Sequence, residues 1–457
     1  MVELKINGAS VAIEEGATVL EAAELLQIEI PTLCHLKGAA PLTSCMLCVV
    51  KDAASGRMLP ACSSKAADGM RIETECEEVQ SARRDILNLL LSEHVGDCEA
   101  PCSRICPAHL DIPHLLREIE RGKVESAAWI ARRDLAIPCV LSHVCPAPCE
   151  KGCRRGQVDS ALTIRALHGA PHSADLAKRL PPDGSLGFKA AVIGSGAAGL
   201  ACAWQLRLSG CSVTVFDEAP LLGGPLREIA SLPSEVLDAE IDVLRSAGIS
   251  FKAGASLVGS FDCVVDSAAE EHKLVVKAVA NGKAAARAML QRFAVPPVVE
   301  SPSFDSRIGK LRESELEQLA VNCTSDLSNC SDAGREAARC LHCDCRKPAS
   351  CRLRKYAARY GADAAEYPAD ERVHLQLLGK DGSVVFEPGK CIKCGLCIEI
   401  ARRVGESLGL AFVGRGYNTR VTVPFGEELD AGLRVAAKDC VENCPTGALA
   451  FRNAEER

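Results

Sequence analysis

The feature that most limits what this chain can fold into is its cysteine pattern. There are 26 cysteines in 457 residues, many in runs separated by only two or three residues. A chain this long can bury a core without disulfide staples, so the pattern reads as metal ligation rather than a crosslinked scaffold. Met1-Val2-Glu3-Leu4-Lys5 lacks the basic and apolar regions of a secretion signal. The most apolar stretch is interrupted by Gly194, Gly196 and Gly199, so no membrane insertion is expected. A formal net charge of −7, from 53 basic and 60 acidic residues, argues against nucleic acid as a partner. The expectation is a soluble, cytoplasmic protein whose reduced thiols hold metal.

Residues 1–80 open with apolar–polar alternation over 2–6 and 10–13 around Asn7-Gly8, the pattern of a tight hairpin. Thr18-Val19-Leu20-Glu21 then has the capping-box form ahead of a helical run to Leu26. Cys34, Cys45, Cys48 and Cys62 follow, with gaps of 10, 2 and 13 residues. Three thiolates on a loop and a fourth further on can close a sulfur set around two irons, and a structural zinc site is the alternative. Hairpin, helix and cysteine loop together resemble the β-grasp [2Fe-2S] ferredoxin domain. "PTLCH" and "LPAC" are similar to the N-terminal domain of the large iron–sulfur subunit of NADH dehydrogenase and of iron-only hydrogenases.

Residues 81–183 read as helical, with Cys98, Cys102 and Cys106 in "CEAPCSRICPAHLDIP" and Cys145, Cys149 and Cys153 in "VCPAPCEKGCRR". These stretches resemble the N-terminal domain of the glutamate synthase small subunit and of dihydropyrimidine dehydrogenase, which holds two [4Fe-4S] clusters on interleaved cysteines. The resemblance implies Cys98, Cys102 and Cys153 on one cluster and Cys106, Cys145 and Cys149 on the other. Each set is one ligand short. His94, in "LLLSEH", stands where the family has its first cysteine, and where the NADH dehydrogenase subunit places a histidine ligand. His168, in "LTIRALH", stands at the family's last ligand, a Gln or Glu. A backbone group or water in place of His168 is the alternative. So is a partition of His94, Cys98, Cys102 and Cys106 against Cys139, Cys145, Cys149 and Cys153.

Residues 187–296 carry "KAAVIGSGAAGLACAWQL": an apolar strand, a turn with Gly194, Gly196 and Gly199, and a helix of small residues. "CSVTVFDE" supplies a second strand ending at Asp217, placed to accept from a ribose hydroxyl. The continuation resembles the FAD domain of the glutamate synthase small subunit, with Gly223 and Gly224 matching its double glycine. The second glycine motif of that family, which opens its NADPH domain, is missing, as are its "ATG" and "GD" motifs. A truncated Rossmann-like domain with bound FAD, and with no nicotinamide site of its own, is the expectation. A structural remnant is the alternative.

Residues 297–370 place Cys340, Cys343, Cys345 and Cys351 within 12 residues, read as one [4Fe-4S] cluster with zinc as the alternative. Residues 371–457 carry the ferredoxin triad Cys391, Cys394 and Cys397, with Ala401 where a fourth cysteine often follows. Cys444-Pro445 completes that set, because the Cys-Pro cysteine reaches back in such domains. Arg434 and Ala437 occupy the positions a second triad needs, so one cluster is expected here. "GRGYNTRVTVPFGEEL" to "CPTGAL" is similar to a single-cluster region of the NADH dehydrogenase large subunit.

The fold class is thus multidomain α/β and α+β: a β-grasp [2Fe-2S] domain, a helical bis-[4Fe-4S] domain, a truncated Rossmann-like FAD domain, a cysteine-rich segment and a ferredoxin-like [4Fe-4S] domain. One [2Fe-2S] and four [4Fe-4S] clusters are implied. Cys76, Cys139, Cys202, Cys211, Cys263, Cys323, Cys330 and Cys440 are left as packing residues. No catalytic constellation is present. Together the resemblances imply an electron-transfer subunit of a multisubunit NAD(P)H-linked oxidoreductase. Its partners would be an NADH-oxidising flavin subunit and a catalytic subunit such as a formate dehydrogenase or hydrogenase. An NADPH-dependent flavoenzyme of the glutamate synthase small-subunit type, and a redox sensor or assembly scaffold, are the competing readings.

Overall fold

Asn7 and Gly8 both take left-handed backbone, φ 50° and 87°, as a two-residue hairpin turn requires. They reverse the chain between β1 (Val2–Ile6) and β2 (Ala9–Ile13). Thr18 caps α1 (Val19–Leu25): its Oγ1 accepts from the Glu21 N–H at 3.2 Å, and Glu21 Oε2 accepts from the Thr18 N–H at 2.6 Å. β3 (Val49–Asp52), β4 (Arg57–Pro60) and β5 (Arg71–Glu73) complete a five-stranded sheet in the order β2-β1-β5-β3-β4. β1 and β5 pair in parallel and the other pairs are antiparallel, which is the β-grasp arrangement read in the sequence. Leu4, Ile6 and Ile72 share one core with Val19, Leu20 and Ala23 of α1. Then α2 (Glu77–Ser92) follows.

This computed structural model describes residues 1–169, 179–267, 270–296, 304–320, 331–367, 372–379 and 382–452, so Cys323 and Cys330 lie outside the described residues. Two compact units are formed, one by Met1–Glu99, Pro302–Val321 and Asp344–Arg457, the other by Ala100–Ser301 and Asn322–Cys343.

The second unit begins with short helices: α3 (Pro101–Ile105), α4 (Ile112–Glu120), α5 (Val124–Leu135), α6 (Pro138–Val144), α7 (Pro148–Lys151) and α8 (Ile164–Gly169). Proline opens α3, α4, α6 and α7, where a missing N–H costs nothing and the fixed φ suits a first turn. A parallel sheet follows, built from β6 (Lys189–Ile193), β7 (Ser212–Asp217), β8 (Ser250–Ala253) and β9 (Cys263–Asp266) in the order β8-β7-β6-β9. Its connections carry α9 (Ala197–Leu208) and α10 (Ser234–Ser246), and α11 (Val275–Arg292) packs on α9. That contact depends on Gly282, since a Cβ there would collide with the Ala198 carbonyl. Cys202, Cys211 and Cys263 are buried in this core as packing residues.

Of the next two helices, α12 (Glu313–Ala320) belongs to the first unit and α13 (Asp332–Ala337) to the second. The first unit then closes with α14 (Arg352–Tyr360), β10 (Val384–Phe386), α15 (Leu396–Val404), the hairpin β11 (Ala411–Val413) and β12 (Arg420–Thr422), α16 (Leu429–Gly432), α17 (Ala437–Asn443) and β13 (Leu449–Phe451). β10 pairs antiparallel with β13, as the ends of a ferredoxin-like fold do. Among the described residues no helix is long and apolar enough to cross a membrane.

Within the first unit the fully buried Arg83 of α2 ties distant segments together. Its guanidinium donates to the Val49 carbonyl and to the Tyr360 hydroxyl, both at 2.9 Å. Val49 follows Cys48, and Tyr360 ends the helix that Cys351 starts. Arg83→Met fills the volume but leaves both acceptors unpaired, at about 1–3 kcal/mol each. The expected result is a lower urea midpoint for the iron-loaded protein, read by circular dichroism. An unchanged midpoint would mean that Arg83 ties nothing down.

Candidate metal centres

Three cysteine loops repeat one local design. Ala147, His342 and Lys393 lie two residues after Cys145, Cys340 and Cys391, with φ of 51°, 46° and 55°. Each donates its backbone N–H to that cysteine's sulfur at 3.4 Å. Left-handed backbone is unfavourable for residues with a Cβ and persists where the surroundings enforce it. Here it folds each loop so that the next cysteine, Cys149, Cys343 or Cys394, returns beside the first. An N–H aimed at sulfur favours the thiolate, the form that binds iron.

The first unit gathers three ligand groups. Cys34 faces Cys45 and Cys48 faces Cys62, with the charge of Cys34 felt by both Cys48 and Cys62, so these four stand together on the β-grasp loop. Cys391, Cys394, Cys397 and Cys444 line a small cavity with Phe386, Leu396 and Val421. Cys98, Cys345 and Cys351 form the third: the Cys345 N–H donates to the Cys98 carbonyl at 3.3 Å, and Cys351 feels the charge of both. The Ser306 and Arg354 N–H groups donate to the sulfurs of Cys98 and Cys351 at 3.4 and 3.5 Å. His94 lies beside this group, since Lys390 faces both His94 and Cys345. The His94 Nδ1 is buried with no hydrogen-bond partner. Burial, with Lys390 adding to it, holds that imidazole down to about 3, so it is neutral with a lone pair to offer.

The second unit gathers two more. Cys102, Cys153, Cys340 and Cys343 line one cavity together with Pro101, Leu116 and Leu162. Cys106, Cys145 and Cys149 lie in mutual electrostatic reach. On the neighbouring α8, the His168 Nδ1 is buried and has no partner, and burial holds the imidazole down to about 4. Arg165, one turn earlier, donates to the Cys145 carbonyl at 3.2 Å.

The four cysteines of 340–351, read in the sequence as one site, are divided between the two units. Cys340 and Cys343 join Cys102 and Cys153, while Cys345 and Cys351 join Cys98. Cys98, read in the sequence with Cys102 and Cys153, groups within its own unit with Cys345 and Cys351, and Cys139 lies against Glu240. The physical reason is that the chain passes between the units at Glu99–Ala100 and again at Cys343–Asp344, each time between neighbouring cysteines. Cysteines two residues apart then belong to separately packed bodies, which spacing cannot reveal. Cys440 packs as a spare, its thiol 3.5 Å from the Cys397 carbonyl.

The donor sets fit iron–sulfur clusters. Among the described residues, no three or more His, Cys, Asp or Glu side chains are arranged to hold a single metal ion. Two of the thiol groups line small cavities, several sulfurs accept from backbone N–H groups, and His94 and His168 hold unpartnered ring nitrogens. Buried cations accompany them. Lys347 donates to the Val441 and Cys444 carbonyls at 2.6 and 2.9 Å. Lys390 pairs with Glu387 at 2.7 Å, which with Cys345 keeps it charged despite its burial. Lys283 donates to the Ala108 and Asp134 carbonyls at 2.6 and 2.7 Å.

The glycine turn has the backbone of a dinucleotide site: Gly194 has φ 95°, and a Cβ on Gly199 would collide with the Gly194 carbonyl. Its polar groups, however, are occupied by one another. Both oxygens of Asp217 are engaged, one by the Ser195 N–H at 2.8 Å and by the Ser195 hydroxyl, the other by the Ala219 N–H at 2.9 Å. Gly223 donates to Ser195 Oγ at 2.7 Å, and a Cβ on Gly224 would stand only 3.4 Å from the Gly196 nitrogen. Glu271 Oε1 accepts from the Ala198 N–H, in the first turn of α9, at 2.9 Å. As folded, the polar groups of this turn bind one another.

Three regions match described families: residues 1–77 a 2Fe-2S iron-sulfur cluster binding domain, 75–178 the dihydropyrimidine dehydrogenase domain II with a 4Fe-4S cluster, and 192–253 an NAD(P)-binding Rossmann-like domain. The chain is 36% identical over 179 residues to the NADP(+)-dependent formate dehydrogenase subunit beta of Moorella thermoacetica, covering 33% of this chain and 25% of the relative. It is 43% identical over 98 residues to a subunit of the NADH-quinone oxidoreductase of Rhizobium meliloti, covering 21% and 12%. It is 33% identical over 170 residues to the NAD-dependent dihydropyrimidine dehydrogenase subunit PreT of Salmonella typhimurium, covering 35% and 41%. These matches bear out the two resemblances read in the sequence. The chain spans about a quarter of the length of the first relatives it matches.

The grouping makes a test simple. Cys343→Ser and Cys345→Ser should each remove about four irons, with the loss of different electron paramagnetic resonance signals. The double variant should lose both signals. Loss of one and the same signal in both single variants would return the four cysteines to a single site.

Proposed function

We propose that this chain is the iron–sulfur electron-relay subunit of a multisubunit NAD(P)H-linked oxidoreductase. Bound clusters supply one-electron transfer, which is why a relay needs several of them in succession. Cys34, Cys45, Cys48 and Cys62 would hold a [2Fe-2S] cluster. Four [4Fe-4S] clusters would be held by Cys391, Cys394, Cys397 and Cys444; by His94, Cys98, Cys345 and Cys351; by Cys102, Cys153, Cys340 and Cys343; and by Cys106, Cys145 and Cys149 with His168.

The observation that carries this reading is the contiguity of ligand groups within each unit. In the first unit, Ser44, next to Cys45, donates from its hydroxyl to the Cys394 carbonyl at 3.0 Å, and Cys394 feels the charge of Cys34. The Leu353 N–H donates at 3.1 Å to the carbonyl of Pro445, which follows Cys444 and lines the cavity of Cys391, Cys394, Cys397 and Cys444, and the Cys351 sulfur stands 3.9 Å from the same carbonyl. The ferredoxin-like group thus adjoins both the β-grasp group and the Cys98 group. In the second unit Cys102 feels the charge of Cys149, so its two groups adjoin as well. A sensor has no need of contiguous centres, which favours relay over that reading.

The partners are proposed by chemistry: an NAD(P)H-oxidising flavin subunit on one side, and on the other a catalytic subunit that oxidises or reduces a small substrate. The formate dehydrogenase and NADH-quinone oxidoreductase relatives support this choice. The occupied glycine turn weighs against a self-contained NADPH-dependent flavoenzyme.

Anaerobically purified full chain should contain about 18 irons and take up about five electrons from dithionite, one per cluster. Neither NADH nor NADPH alone should bleach it. After reduction by a single electron equivalent, freeze-quench spectra should find the electron settled on the highest-potential centre of a unit within milliseconds. Bleaching by NADPH would establish the flavoenzyme instead, and electrons trapped on separate centres for seconds would establish a sensor or scaffold.

A further inference from the structure

The first turn of α9 is where a Rossmann fold receives phosphate, because its N–H groups are unpaired and the helix dipole favours negative charge. In this chain a carboxylate from the same unit is already there. Glu271 lies just after β9, on the stretch leading into α11, and accepts from the Ala198 N–H at 2.9 Å. Gly196, the central glycine of the turn, faces it so closely that a Cβ at this position would collide with the Glu271 carboxylate. The glycine that normally clears room for a diphosphate here clears room for a side chain. Burial pushes the Glu271 carboxyl up and the Ala198 N–H opposes that shift, so the charge is partly compensated where it sits.

A second, separate set of contacts holds the rest of the turn in shape. Asp217 spends both oxygens on Ser195 and Ala219, and Ser195 in turn accepts from Gly223. The acid, the turn and the double glycine thus form one internal hydrogen-bonded chain. The tight packing of Gly282 against Ala198 holds α11 on this end of α9, and with it the segment that carries Glu271.

We propose that Glu271 is a built-in occupant of the phosphate position, so that this Rossmann-like fold carries no FAD or NAD(P) and serves as a scaffold for the clusters of its unit. The anion it replaces is the diphosphate shared by FAD and NAD(P). Removing the carboxylate should therefore reopen the site to the half that both cofactors have in common, adenosine diphosphate.

The test uses anaerobically purified, iron-loaded full chain. Released flavin is measured per chain alongside iron, and adenosine diphosphate binding is measured by calorimetry for the wild type, Glu271→Ala and Glu271→Gln. The expected result is less than about 0.1 flavin per chain in the wild type, and at least tenfold tighter binding to Glu271→Ala. Glu271→Gln, which keeps the shape without the charge, should fall between them and serves if the alanine variant does not fold. Near-stoichiometric flavin in the wild type would overturn the proposal, as would equal affinity in wild type and variants. The iron count on the same samples keeps this outcome separate from the fate of the relay reading.

Discussion

Buried sulfur ligands bring negative charge into a protein interior, and accommodating it shapes the rest of this fold. An isolated buried charge is too costly to persist, so it has to meet donors or cations. The chain answers in two ways. Backbone N–H groups are turned onto sulfur by left-handed residues at Ala147, His342 and Lys393. Buried lysines then stand among the groups, Lys390 beside Cys345 and His94, Lys347 on the carbonyl of Cys444, and Lys283 on the carbonyl of Ala108 two residues after Cys106. Without metal, burial raises most of these thiols, which ties proton release to cluster binding and cluster binding to the stability of both units.

The two units use their scaffolds differently. In the first, a β-grasp sheet and a ferredoxin-like fold are held by shared helices, and Arg83 joins the strand after Cys48 to the helix after Cys351. In the second, short proline-opened helices make the cysteine loops, and the parallel sheet supplies a large apolar core beneath them. That core keeps the backbone of a nucleotide fold while its binding turn is satisfied from within. Fold and function part company here: the strand–turn–helix is retained, but the polar groups that would read a ligand read each other.

Much of this architecture was legible in the residues. Asn7-Gly8, the Thr18–Glu21 capping box and the glycine turn at 194–199 each act over a few positions, and local steric and hydrogen-bonding rules govern them. The sets Cys34/Cys45/Cys48/Cys62 and Cys391/Cys394/Cys397/Cys444 were legible for a related reason: each lies within one packed body, so ligand spacing and loop geometry agree. The segment 340–351 was not legible. Its four cysteines look like one site because they are close in sequence, yet two belong with Cys102 and Cys153 and two with Cys98. One signal was available: Cys98-x3-Cys102 and Cys343-x-Cys345 each straddle a passage between units, and each of those two helical-region sets was visibly short of ligands.

Composition, cysteine count and local motifs by themselves determined that this is a metal-binding chain with a β-grasp entry, a Rossmann-like middle and a ferredoxin-like end. Those properties follow from short-range backbone preferences and from ligand chemistry. Only the tertiary structure decided which distant thiols share a cavity, and that a carboxylate 72 residues beyond Gly199 faces the first turn of α9. Both outcomes depend on how separate segments pack, where burial and charge select partners that sequence separation does not reveal.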